Sequence, residues 1–298
     1  MTGRVATAVA SSDTLGECAT WSVREQALYW VDIRGPLLHR FDPASGAYHS
    51  WPLPELCGGI VPMADGVMLA LRRDLASFDP RSGALTKWCE VEPEALGNRL
   101  NEMRCDRQGR VWVGSMRDYA MATTGSLYRV SASGQVEAAL ADITIPNSLG
   151  WSPDGRTMYF ADTAQGSVHA YAYDPEHGVL GAMRVLIEEG ALPGRPDGCA
   201  IDAEGHVWST RVGAGLVVRV APDGRISDQI ELPASQPTSC ALGGSDLRTL
   251  YITTARQKLE EAALRAQPEA GNLFAATVAV PGLAEPAFAP ERAAARIA

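Results

Sequence analysis

Four oxygen-bearing side chains stand at one distance ahead of a strand-like apolar run. Glu17 precedes Trp21, Asn101 precedes Cys105, Asn147 precedes Trp151 and Asp197 precedes Ile201, each by four positions. If each run is the same strand of a repeated unit, these side chains share an axis. Two carboxylates and two amides, with no imidazole or thiolate among them, suit a single divalent cation. Oxygen ligands favour Ca²⁺, Mg²⁺ or Mn²⁺ over Zn²⁺. A donor set this small leaves positions for water or substrate, which is what Lewis-acid hydrolysis needs. A lone Asn or Asp before a strand is ordinarily a turn residue bonded to its own backbone. Recurrence at a matched place, and a Glu with little turn preference, favour a functional cluster. The equivalent place in QPTSCAL is Thr238, and CGGIVP offers no charged group there.

Other chemistries are less well supported. His39, His49, His169, His177 and His206 fall in strands or outer turns away from these junctions, so a Ser-His-Asp nucleophile is not expected. Cys18 and Cys199 lie close to the candidate ligands, but no partner base accompanies either. The six cysteines form no CxxC pair; they read as reduced, small buried residues.

Elements able to bring such distant residues together are visible as a repeat. ALYWVDI, GVMLALR, GRVWVGS, RTMYFAD, GHVWSTR and RTLYITT are apolar runs rich in β-branched and aromatic residues. Tyr29 and Tyr251 mark the first and the sixth, which gives a period of about 44 residues, the length of a four-stranded propeller blade. FDPASGA, FDPRSGA, SPDGR and APDGR supply the Asp and Gly of tight turns between strands. Long amphipathic helices, which a doubly wound sheet needs, are missing; RQKLEEAALRA at 256–266 is the clearest helical segment. The expected fold is all-β: a six-bladed β-propeller with four antiparallel strands per blade, one domain over 1–298. A ring of blades has a free edge unless its ends pair. Residues Val5–Ala10 are therefore expected to complete the last blade beside NLFAATVAV.

Composition narrows the partners. A net charge of −9 argues against nucleic acid, which needs a basic footprint. No apolar run of about 18 residues occurs, so no transmembrane helix is expected. The N-terminal apolar stretch is too short for a secretory signal. A cytoplasmic location without an obligate protein partner is the expectation.

Several of these motifs together resemble the gluconolactonase/senescence-marker-protein/regucalcin family. They are TLGE at 14–17, NRLN at 98–101, PNSLGWSPDGRTMYFADT at 146–163 and RPDGCAID at 195–202, with SDLRTLYITTAR and QPEAGNLF later. The resemblance covers almost the whole chain. It implies a six-bladed propeller that binds one divalent metal and hydrolyses sugar lactones, such as a gluconolactone or a pentonolactone, to aldonic acids. It implies metal ligation by Glu17, Asn147 and Asp197, a general-base role for Asp197, and substrate contacts from Arg99 and Asn101. Cys18 and Ala19 depart from the Gly-Pro common after the first Glu, and Glu102 and Met103 from the residues common after NRxN. The family's acidic substrate contact has Asp118 as its candidate here. A metal-dependent phosphotriesterase or broader esterase, and a non-enzymatic calcium-binding propeller, remain the alternatives.

Overall fold

The structure, a computed structural model, describes residues 3–93, 97–291 and the backbone of 295–296. The expected unit of 1–298 includes a few residues outside these. Strand β1 (Ala6–Val9) comes first. The next sheet is β2 (Gly16–Ser22), β3 (Ala27–Asp32), β4 (Leu37–Asp42) and β5 (Ala47–Pro52), in that order. Blade two holds β6 (Cys57–Pro62), β7 (Val67–Leu71), β8 (Asp74–Asp79) and β9 (Ala84–Glu90). Blade three holds β10 (Asn98–Cys105), β11 (Val111–Arg117), β12 (Gly125–Val130) and β13 (Val136–Ile143). Blade four holds β14 (Pro146–Trp151), β15 (Thr157–Asp162), β16 (Val168–Asp174) and β17 (Val179–Ile187). Blade five holds β18 (Arg195–Ile201), β19 (Val207–Val212), β20 (Leu216–Val220) and β21 (Ile226–Glu231). Blade six holds β22 (Pro237–Gly243), β23 (Thr249–Thr254) and β24 (Leu273–Thr277). A two-residue strand, β25 (Ala295–Arg296), pairs outside β9. The fold is a six-bladed β-propeller with four antiparallel strands per blade.

Each apolar run of the repeat is the second strand of its blade. These strands are wedged between neighbouring sheets and buried on both faces, so their apolar character is continuous rather than alternating. Outermost strands such as β5 and β17 have one wet face and carry exposed residues. Closure follows the expectation. Strand β1 pairs with β24 (Ala6 with Ala275, Thr7 with Phe274, Val9 with Leu273) and is the fourth strand of blade six. Removing residues 1–10 would bare the β24 edge beside the buried Leu273 and Phe274. Thermal unfolding should then shift down by about 8 °C or more; an unchanged midpoint would show that the ring closes without this strand.

The helix is shorter than expected. It covers only Glu261–Ala266 (α1). Arg256 and Gln257 instead donate their backbone N–H groups to Thr14 O, and Lys258 takes φ +64°. Helical periodicity in 256–260 yields to a turn pinned on the segment ahead of β2.

Beyond β24 the chain crosses the opposite end of the propeller. Gly282 bridges to Asp202 of blade five, and Phe288 bridges to Met63 and packs edge-on against Trp88 of blade two. Arg107 donates to Ala284 O on the way. This segment brings Glu285 beside the buried Arg104 on the axis.

Candidate active site

In every blade the first strand begins where the second ends, so both termini lie at one end of the ring. The start of the first strand is anchored the same way in two blades. Asp32, which ends β3, accepts N–H groups from Thr14 and Leu15; Asp162, which ends β15, accepts from Thr144 and Ile145. Glu17 and Asn147 each follow two residues after these anchored segments.

Glu17, Arg99, Asn101 and Asp197 line one cavity of about 410 Å³ at this end. All four are buried. Arg34, Met116, Tyr119, Thr163, Gln257 and Lys258 contribute to the same wall. Asn147 stands directly behind Asn101 and touches it.

The shared register is two adjacent positions rather than the one that the four-residue spacing in the sequence predicts. Glu17 pairs with Val31 and Asn147 with Ala161, in regular ladder positions just before a bulge. Asn101 follows the ladder residue Leu100, and Asp197 follows Pro196, so both sit inside the bulge. Thr238 does the same in blade six. One extra residue in the first strand re-aims side chains locally. The residues after Glu17 and Asn147, Cys18 and Ser148, adopt φ +51° and +54°, a left-handed conformation uncommon for side-chain-bearing residues. Blade two has no ligand-bearing residue because it makes room for its neighbour. A Cβ on Gly58 would lie 2.4 Å from Leu100 O, and one on Gly59 would lie 2.9 Å from Asn101 O.

Hydrogen bonds join the group into a chain. Arg99 Nη1 donates to Asn101 Oδ1 at 2.7 Å. Asn101 Nδ2 donates to Asn147 Oδ1 at 3.1 Å and to Pro146 O at 2.9 Å. Asn147 Nδ2 donates to Thr163 Oγ1, whose hydroxyl donates to Pro196 O next to Asp197. Ser148 Oγ donates to the carbonyl of Asp197 itself. Both amides are thereby oriented, and each keeps one oxygen lone pair uncommitted.

The carboxylates are unusual. Burial and the nearby charge of Glu102 push Glu17 up to about 8, against the Cys18 N–H, Arg99 and Arg104. Burial, then Glu17 and Glu102, push Asp197 well above the carboxylate range, and its buried Oδ1 meets no hydrogen-bond donor. Two buried acids line one cavity, and one of them holds an oxygen that no protein donor satisfies. Among the described residues no three His, Cys, Asp or Glu side chains gather at one point. The available donors are two carboxylates with neutral amide oxygens, a set that fits an oxygen-preferring divalent ion.

Asp118 is placed differently from a free sugar contact. Its carboxylate is absent from the cavity lining and is gripped by Arg34 Nη2 at 2.8 Å, Arg72 Nη2 at 3.2 Å and Arg99 Nε at 3.5 Å. Burial raises its pKa, but Arg34, Arg99 and Arg72 outweigh burial and hold the group below the usual range. Arg34, Tyr119 and Lys258 escaped the sequence reading. The signal available was topological: Arg34 lies just past β3, Tyr119 just past β11 and Lys258 beyond β23, and all such positions fall at the end where first strands begin.

Under this layer the axis is filled. Arg104 reaches from blade three to Thr20 Oγ1 of blade one at 2.9 Å and lies 3.4 Å from Glu102 Oε1. Cys18, Cys199 and Cys240 are buried around it, and burial is the first cause raising all three thiols. All six cysteines are buried, and none is joined in a disulfide.

A 6-deoxy-6-sulfogluconolactonase of Pseudomonas putida is 39% identical over 284 residues, 94% of this chain and 97% of the relative. An L-arabinolactonase of Azospirillum brasilense is 39% identical over 283 residues, 93% of each. The crystal structure of a calcium-binding protein, regucalcin from Agrobacterium tumefaciens, superposes with a TM-score of 0.91 at 34% identity, covering 96% of this chain and 97% of its own. Residues 15–256 match the family described as the SMP-30/Gluconolactonase/LRE-like region, and the chain belongs to that family.

Proposed function

We propose that this protein is a hydrolase that opens sugar lactones, with one divalent cation held by Glu17, Asn147 and Asp197. The observation that carries the reading is the buried Glu17–Asp197 pair at the floor of a cavity whose volume suits a small ligand. The two relatives take, by their names, a hexono- and a pentonolactone, so the family leaves ring size and substituents to each site.

When bound, the cation supplies Lewis-acid polarisation of the lactone carbonyl. The chain's own groups do the rest. Asp197 takes the proton of the attacking water on its carboxylate. As the ester C–O bond breaks, the same proton is returned to the departing ring oxygen, which leaves an aldonic acid. Asn101 accepts a sugar hydroxyl through its remaining oxygen lone pair, and Arg99, locked by Leu100 O and Asn101, orients the ring. Asn147 is a neutral donor, so the ligand set carries two negative charges and leaves the cation electrophilic.

The test is a lactone panel followed by proton release, with an organophosphate ester run alongside to separate lactonase from broader esterase. Exhaustive chelation should reduce turnover to about 1% or less, and adding back Ca²⁺, Mg²⁺ or Mn²⁺ should restore it. Full turnover in excess chelator would rule out the metal-dependent reaction.

A further inference from the structure

One wall of the cavity is apolar, and it comes from neighbouring blades. Met116 near the end of β11, Tyr119, Ala120 and Met121 in the loop that follows, and Ile145 just ahead of β14 all line it. Tyr119 is 82% exposed and Met121 69%, the two highest values among the exposed large apolar side chains of the described residues. Apolar side chains exposed singly are ordinary on a protein surface. These two stand two residues apart in one loop, and both line the cavity that holds the candidate catalytic groups. Such a surface fits a ligand that covers it.

Tyr119 is held in place despite its exposure. The Arg34 guanidinium carbon lies 3.9 Å from the centre of its ring, a cation–π contact. Arg34 is itself fixed, donating to Asp118 Oδ1 at 2.8 Å and to Gln257 Oε1 at 3.1 Å. The contact ties the loop after β11 of blade three to the loop after β3 of blade one. Tyr119 also takes φ +57°, a left-handed backbone that costs a side-chain-bearing residue free energy and is found most often at functional sites. With one face on Arg34 and most of the side chain exposed, the ring keeps a flat apolar face open at the cavity.

Building on the lactonase reading, we propose that Tyr119 determines specificity: its open face, with Met121 and Ile145 beside it, receives the carbon atoms that a sugar lactone carries beyond its ring. A sugar is polar at its hydroxyls and apolar at its C–H groups, and an aromatic face covers the second kind of surface. Asn101 and Arg99 then read hydroxyls, while Tyr119 reads the carbon skeleton. The favoured class is lactones with such an exocyclic tail, over four-carbon lactones, which end at the ring.

The experiment uses the full chain loaded with its divalent cation. Steady-state kinetics are compared for gluconolactone and for erythronolactone, whose carbons all lie in the ring. Tyr119→Ala should raise KM for gluconolactone about 10-fold and change kcat by less than about 2-fold. On erythronolactone the same substitution should raise KM by no more than about 2-fold. Tyr119→Phe should restore the wild-type preference, because the ring face rather than the hydroxyl makes the contact. Met121→Ser should reproduce part of the Tyr119→Ala effect. Equal changes on the two lactones, or a fall in kcat at unchanged KM, would overturn the proposal while leaving the lactonase reading intact. Absence of wild-type turnover on every lactone would overturn both. Should Tyr119→Ala fail to fold, Tyr119→Leu, which keeps bulk but removes the flat face, decides by the same split between the two lactones.

Discussion

Asp197→Asn abolishes lactone opening, lowering kcat/KM by about 10³-fold or more, while the metal-free protein melts at the same temperature or higher. Two roles are lost in one substitution. The amide takes no proton from water, which removes general-base catalysis worth roughly 10² to 10⁴. It also withdraws one of the two negative charges that would hold the cation. The stability part has a separate cause. In the metal-free state Asp197 is buried beside Glu17 and Glu102, and its Oδ1 meets no donor. Replacing the acid by a neutral isostere relieves that repulsion, the usual exchange of function for stability at an active site. Kinetics on the reconstituted enzyme and calorimetry on the chelated one check both halves. Near-normal turnover in the variant would remove Asp197 from the reaction.

Arg104→Met should be the most destabilising substitution on the axis, by about 3–5 kcal/mol, because it strands a buried acid. Glu102 is fully enclosed, and its Oε1 meets Arg104 at 3.4 Å with no hydrogen-bond donor in place. The same substitution frees Thr20 Oγ1 of its guanidinium donor. The double variant Glu102→Gln, Arg104→Met should recover much of the loss, since no uncompensated charge is left. Urea titrations of the singles and the double measure it. Single-variant losses below about 1 kcal/mol would show that the pair is solvated rather than enclosed.

How far the sequence reveals this depends on what each residue's neighbours are. The second strands, Ala27–Asp32 to Thr249–Thr254, were legible because burial on both faces writes itself as an unbroken apolar run. So was the closing β1, since an unpaired edge has a physical cost that does not depend on detail. The first strands were half legible. Counting four residues back from Trp21 and Trp151 finds ladder positions. Counting back from Cys105 and Ile201 finds residues one step later, inside the bulge, because spacing in sequence does not record where the extra residue is inserted. The shortened helix has a similar origin: local periodicity at 256–260 is overridden by Thr14, a residue far away in the chain. Arg34, Arg72 and Arg99 meeting on Asp118, and Glu285 arriving beside Arg104, are products of ring closure alone. No local pattern announces them.

The C-terminal crossing has a consequence for turnover. Among the described residues, Glu285, Arg104 and the buried thiols crowd the axis at the far end, so a product is expected to leave by the mouth through which its substrate arrived. Hydrolysis turns an ester into a carboxylate, and that newly charged molecule has to back out past Arg34 and Lys258. Departure should therefore slow as ionic strength falls, and a turnover number that rises with added salt would show it.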